Sequence, residues 1–181
     1  MSKRAVLVVD IQNEYWPSGK LPLVGIEAAA VKAAKVIAAS RDNGDMVVNI
    51  RHEMPGAPWF TPGTNGVKIN EAVRPADGEA IIVKNFPNSF RGTGLKVLLD
   101  EKGIDEVVVV GAMSHMCIDA TVRAASDFGY KTTLIHDACA TRDLEFGGTT
   151  VPAAQVHAAM MSALGGAYGE VIDAETWLKA E

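Results

Sequence analysis

The stretch "VVVVGAMSHMCIDATVRAASDFGYKTTLI", residues 107–135, decides the fold. It opens on a run of β-branched residues that stops at Gly111. Beyond the stop, Ile118, Thr121, Val122 and Ala125 recur at i, i+3, i+4 and i+7, one face of a helix, and Gly129 closes the pattern. "TTLI", residues 132–135, is a second short apolar run. Strand, helix and strand in so short a span make a β-α-β unit, and such units build parallel sheets.

The same alternation extends outward. "AVLVV" (5–9), "MVVNI" (46–50) and "AIIV" (80–83) are short, β-branched runs, and a weaker one covers 170–172. None alternates strictly, which is how strands buried on both faces read. Helical patterns lie between them. Residues 26–42 put Ala29, Ala30, Ala33, Ala34 and Ile37 on one face, with Gly44 as a stop. Residues 95–102 end at Gly103. Residues 151–164 begin around Pro152, a good first-turn residue, and end at Gly165 and Gly166. The expected fold is α/β: a three-layer α/β/α, doubly wound domain with a mostly parallel sheet of about six strands. One domain over residues 1–181 is expected, without repeats or linker.

Composition narrows the function classes. Of 181 residues, 48% are apolar and 22% charged, and the net charge is -5 without any long run of one sign. A basic face for nucleic acid is therefore not expected. No apolar run approaches the roughly 18 residues of a membrane span, and the opening run is too short for a signal peptide. The two cysteines, Cys117 and Cys139, read as reduced thiols of a cytoplasmic protein.

Residues 51–79 break the alternation. Pro55, Pro58, Pro62 and Pro75 are mixed with glycines around Trp59 and Phe60. A loop of that length, here about 52–79, is expected to be an ordered lid or an arm that embraces a partner. "TRDLEFGGTTVP", 141–152, reads as a second possible arm.

Ligands of open parallel sheets bind where the strands end. The first run is followed by Asp10, then Gln12 and Asn13; the third by Lys84; the fourth by Gly111 and, beyond it, Cys117. Each has a plain structural reading: Asp10 as a turn cap, Lys84 as a strand-end residue reaching for solvent, Cys117 as a small core residue. Together they offer an acid, an ammonium and a thiol. With Ser114 as helix N-cap, Cys117 would sit in the first turn, where the backbone N–H groups and Lys84 favour a thiolate and an ionised Asp10 opposes it. Cys139 reads as structural. His52 stands alone after the second run, with no neighbouring ligands to complete a metal site. His115 reads as a surface residue beside the thiol's turn, and His136 and His157 as strand-end and helix-face residues. No P-loop, no G-x-S-x-G and no G-x-G-x-x-G after the first strand is present, so no cofactor is expected.

These segments resemble the isochorismatase-like cysteine hydrolase superfamily, which includes the nicotinamidases. "VVDIQNEY" (8–15) resembles its opening strand, "IIVKNFPNSF" (81–90) its lysine segment, "VVGAMSHMCIDATVRAASDFGY" (109–130) its nucleophile segment and "IHDACAT" (135–141) the strand that follows. The resemblance implies Cys117 as nucleophile, Asp10 as proton acceptor and Lys84 as the charge that steadies them. It implies an oxyanion hole from the backbone N–H groups of Met113 and Cys117, with a cis peptide between Ala112 and Met113. By position, Tyr15, Trp59 and Phe90 would wall the pocket. "NIRHEMPGAPWF" (49–60) departs from the Asp/His cluster of the metal-bearing nicotinamidases, so neither a metal nor nicotinamide carries over.

The leading expectation is hydrolysis of a C–N bond in a small amide, lactam or ureide-like molecule through a Cys117 thioester. The alternatives are vinyl-ether hydrolysis of the isochorismatase type, thiol redox chemistry, and a non-catalytic binding module on the same fold. Vinyl-ether cleavage needs protonation rather than a thiol, and redox chemistry would want a resolving cysteine, which Cys139 does not supply in a C-x-x-C pair. The expected partners are a small-molecule substrate and further copies of the chain, as a dimer or larger homo-oligomer.

Overall fold

A computed structural model describes residues 3–180. The chain runs through β1 (Arg4–Val9), α1 (Ile26–Asp42), β2 (Met46–His52), β3 (Ala80–Lys84), α2 (Leu95–Glu101), β4 (Glu106–Ala112), α3 (Asp119–Asp127) and β5 (Lys131–Ala140). It continues with β6 (Leu144–Phe146), β7 (Thr149–Val151), α4 (Ala153–Ala167), β8 (Glu170–Ile172) and α5 (Ala174–Lys179). Six strands form one parallel sheet in the order β3-β2-β1-β4-β5-β8. The expected three-layer α/β/α architecture is present, and no helix among the described residues is long and apolar enough to cross a membrane.

Two cores flank the sheet. Leu7, Val9, Val107 and Val109 face Leu95, Leu99, Val122 and Leu164 on the inner faces of α2, α3 and α4, and Ile118 just ahead of α3. Val6, Val8, Val108 and Val110 face Ala30, Ala33, Val36 and Ile37 of α1 and Trp177 of α5. The central strands β1 and β4 therefore carry apolar residues on both faces, as their unbroken runs foretold. At the edge the expectation of two-sided burial fails: Ile81 and Val83 of β3 are exposed, because no helix covers that face there.

Other differences are local. Gly165 and Gly166 do not stop α4, which runs on to Ala167. Gly165 instead lets the helix lie against β8, since a Cβ there would meet Val171 Cγ2 at 3.3 Å. Pro152 caps α4 rather than opening its first turn, because Val151 belongs to β7. The 141–152 arm contains the β6–β7 hairpin, turned at Gly147 and Gly148. Gly111 is required where β4 passes β1: it has φ 132°, and a Cβ would fall 1.9 Å from the Val9 carbonyl oxygen.

Residues 53–79 are an ordered wall folded back on the chain that follows β1. Asn13 N–H donates to Lys68 O at 3.0 Å, Glu14 N–H to Gly66 O at 2.9 Å and Asn70 N–H to Ile11 O at 2.9 Å. The wall's own Phe60, Val67 and Val73 are buried.

Candidate active site

In this strand order the chain reverses direction of growth between β1 and β4, and the crevice at their carboxyl ends is where such sheets hold ligands. Asp10 follows β1, Cys117 lies just beyond β4, and Lys84 and His52 end β3 and β2. The sheet brings together four side chains spread over more than a hundred positions of sequence.

Lys84 Nζ donates to Asp10 Oδ2 at 2.7 Å and to His52 Nδ1 at 2.8 Å. An ammonium has only donors, so Nδ1 must carry the lone pair and the ring proton sits on Nε2. Cys117 Sγ is 3.8 Å from the same Nδ1. Asp10, Lys84 and Cys117 are buried to 0%, 1% and 2% exposure, so their charges act in a medium that screens little. Asp10 has φ 53°, a left-handed conformation unusual for a residue with a side chain, and Phe60 in the facing wall has φ 50°.

The protonation balance follows from burial and charge. Burial pushes the Asp10 carboxyl up, but the Lys84 ammonium beside it outweighs this and holds the group below its ordinary value. Burial pulls the Lys84 ammonium down, while Asp10 and Cys117 more than restore it, so its pKa is raised. The Cys117 thiol is pushed up, first by burial and then by the Asp10 charge, with Lys84 opposing. The resting cluster is thus carboxylate, ammonium and thiol.

Ser114 is not the helix cap. Met113 holds that place, and residues Ser114–Ile118 form a wide turn closed by Ile118 N–H to Met113 O at 3.2 Å, five residues back. Cys117 sits in this turn, ahead of α3. The Ser114 hydroxyl is engaged elsewhere, 2.8 Å from His157 Nδ1 and donating to Ala140 O at 3.3 Å. The peptide between Ala112 and Met113 is cis.

A cleft of about 440 Å³ opens above Cys117, walled by Tyr15, Trp59, Phe60, Met113 and Arg142. Tyr15 is buried with its ring edge-on to Phe60 at 5.1 Å, and Trp59 is part-exposed at the mouth. Phe90 does not wall the cleft as expected. Its ring packs at 5.2 Å on Phe128 and 6.2 Å on Tyr130, in the core beneath α3, because the chain turns inward after Lys84. Cys139 is a buried residue of β5 opposite Gly111, with its thiol donating to Ile135 O at 3.4 Å. His115 is part-buried and hydrogen-bonded to Thr141 Oγ1 at 2.7 Å, rather than free in solvent.

The reading of His52 as isolated is corrected by the sheet, which sets it beside Asp10 and Cys117. Donor atoms of Asp10, His52 and Cys117 lie within 4.8 Å of one another, a spacing that would admit a metal. Lys84 already bonds two of the three, so a cation would have to displace that ammonium. Gln12, which the sequence sets behind the first strand, has a structural role. Its amide clasps the end of β2, accepting from His52 N–H at 2.8 Å and donating to His52 O at 2.9 Å and Val67 O at 2.6 Å. The polar pair Gln12 and Asn13 directly behind a buried strand was the available signal.

A thiol, a carboxylate and an ammonium buried under a cleft of a doubly wound sheet define the class of cysteine hydrolases with an isochorismatase-like fold. The chain belongs to the isochorismatase family: the Isochorismatase domain model matches residues 4–176. It is 49% identical to the isochorismatase family protein YddQ of Bacillus subtilis, over 97% of this chain and 98% of that one. It is 31% identical to maleamate amidohydrolase of Pseudomonas putida, over 77% of this chain and 73% of that one. The crystal structure of an isochorismatase-type protein from Oleispira antarctica superposes with TM-score 0.96 at 52% identity, covering 98% of this chain and 97% of that one. That of a cysteine hydrolase from Pseudomonas syringae does so with TM-score 0.93 at 25% identity, covering 98% and 91%. The family's hydrolases include amidohydrolases that act on C–N bonds.

Proposed function

We propose that the protein is a cysteine amidohydrolase that cleaves the C–N bond of a small carboxamide or ureide-like molecule. The observation that carries this reading is the buried cluster of Asp10, Lys84 and Cys117 opening onto the cleft through the thiol. In the reaction, the Asp10 carboxylate takes the thiol proton and Sγ bonds to the substrate carbonyl carbon. The carbonyl electron pair moves to oxygen, and the oxyanion is received by the backbone N–H groups of Met113 and Cys117. Collapse breaks the C–N bond, and the leaving nitrogen departs with the proton from Asp10. Water then gives a proton to Asp10 and attacks the thioester, and the expelled thiolate recovers that proton. Lys84 stays protonated throughout and offsets whichever anion is present.

The raised thiol pKa fits this order, because proton transfer is coupled to attack rather than preceding it. A relative named for amide hydrolysis supports a carboxamide over a vinyl ether. The test is ammonia release from a panel of primary amides, with intact-mass detection of an acyl adduct. Turnover and adduct should both vanish in Cys117→Ala. Neither ammonia nor adduct from any amide of the panel would sink the proposal.

A further inference from the structure

We propose that Arg142 forms an anion subsite of the cleft, so that the substrate is a small carboxamide that also bears a carboxylate. This rests on the hydrolase reading for the amide and on the arginine alone for the anion. Arg142 lines the same cleft as Cys117. Its backbone is anchored: the preceding residue, Thr141, is buried, accepts Val24 N–H at 2.9 Å and bonds His115 through its hydroxyl at 2.7 Å.

The other arginines of the chain all have partners. Arg4, Arg41, Arg51, Arg74 and Arg123 pair with carboxylates, and Arg91 lies over the Phe86 ring at 3.9 Å. Among the described residues Arg142 alone has neither a carboxylate nor a ring against it. Its charge nevertheless reaches the cleft floor. Burial, Cys117 and Asp10 push the Tyr15 phenol up, and Arg142 is what opposes them from outside.

Nothing else in the cleft answers that charge. Asp10 is already neutralised by Lys84 at 2.7 Å, and much of the remaining lining is apolar: Leu21, Met54, Trp59, Phe60 and Met116. A guanidinium at the rim of an apolar cleft is suited to a carboxylate, which it can hold through two parallel hydrogen bonds. At about 440 Å³ the cleft suits a small molecule whose amide reaches Cys117 while its acid end meets Arg142.

Two measurements test the subsite, one of which needs no turnover. The first compares kcat/KM for succinamate with that for butyramide, its neutral counterpart. The wild type should favour succinamate, and Arg142→Gln should lower the ratio about 10- to 100-fold, the range for a charge-assisted contact. Arg142→Lys, which keeps the charge and loses the fork, should recover part of it. The second compares alkylation of Cys117 by iodoacetate and by iodoacetamide, mapped by mass. The iodoacetate-to-iodoacetamide rate ratio should exceed that of a small free thiol and fall toward it in Arg142→Gln. Equal hydrolysis of both amides would end the subsite and leave the hydrolase standing. Hydrolysis of neither, with the alkylation ratio still falling in the variant, would count against the hydrolase and keep the subsite. An alkylation ratio that Arg142→Gln leaves unchanged overturns the subsite whatever the amides do.

Discussion

Lys84 ends a strand with its ammonium 2.7 Å from one carboxylate and beneath a thiol, and both the stability and the reactivity of the site pass through it. Methionine can fill much of its volume but carries no charge. Lys84→Met should therefore cost at least about a hundredfold in kcat, the scale of lost electrostatic stabilisation. It should also destabilise the fold by about 3–5 kcal/mol, because Asp10 is left ionised and unpaired in the interior. The two effects separate in the double variant Asp10→Asn/Lys84→Met, which should regain part of the stability and none of the turnover. Urea unfolding and steady-state kinetics on the wild type and the two variants read this out. Wild-type turnover in Lys84→Met would remove the ammonium from the mechanism. Asp10 and Lys84 were legible one by one, each as the residue that follows an apolar run, and Cys117 as the thiol beyond the stop at Gly111. His52 was not, because its partners Asp10, Lys84 and Cys117 lie 42, 32 and 65 positions away and only the sheet register joins them.

The element that gives the cleft its depth is the wall of residues 53–79, and one of its attachments is a buried side chain. The Gln12 side chain ties it to the sheet by bonding Val67 O at 2.6 Å while clasping His52 at the end of β2. Gln12→Leu keeps the apolar stem and leaves two buried carbonyls and one N–H without this partner, at about 1–3 kcal/mol for each group that finds no other. The loss should be local. Amide hydrogen exchange should quicken over residues 53–70 and at His52, and KM should rise, while β1, β4 and β5 keep wild-type protection. Uniform exchange across the sheet strands would show that the wall is not a separable unit. Proline and glycine in the sequence marked this segment as irregular, and Trp59 and Phe60 marked it as ordered. They could not show where it folds, since several of its contacts with residues 11–14 are backbone hydrogen bonds, which leave no trace in residue type. The helix α5 did leave one: Asp173 accepts from Thr176 N–H at 2.8 Å, and Asp followed three positions later by Thr is a capping pattern. Its shortness, Ala174–Lys179, kept the periodicity too brief to notice.

For the molecule as a whole, the doubly wound sheet was legible because β1 and β4 are buried on both faces and so need unbroken apolar runs. The same double burial encloses groups that titrate, and it sets how stability depends on pH. The Asp10 carboxyl lies below its ordinary 3.8 in the folded protein, so its contribution is present above that value and is lost only as pH falls further. The thiols have the opposite sense. Burial first, with Asp137 adding repulsion and a backbone bond from Gly111 opposing, raises Cys139 from 9.0 to about 12. Cys117 is raised as well, for the reasons given above. The folded protein therefore holds both protons more tightly than the unfolded chain. Their contribution is complete below pH 9 and is lost as pH rises through that value toward the folded pKa. Stability from urea unfolding should accordingly fall between pH 9 and pH 11. Each thiol still protonated only in the fold adds up to about 1.4 kcal/mol per pH unit to the slope. Cys139→Ala removes one such group from β5 without touching the cleft. Whatever it does to stability at neutral pH, its alkaline limb should be shallower by one thiol's share. Parallel limbs for the variant and the wild type would mean that Cys139 ionises alike in both states and is not sealed in the sheet as its burial requires.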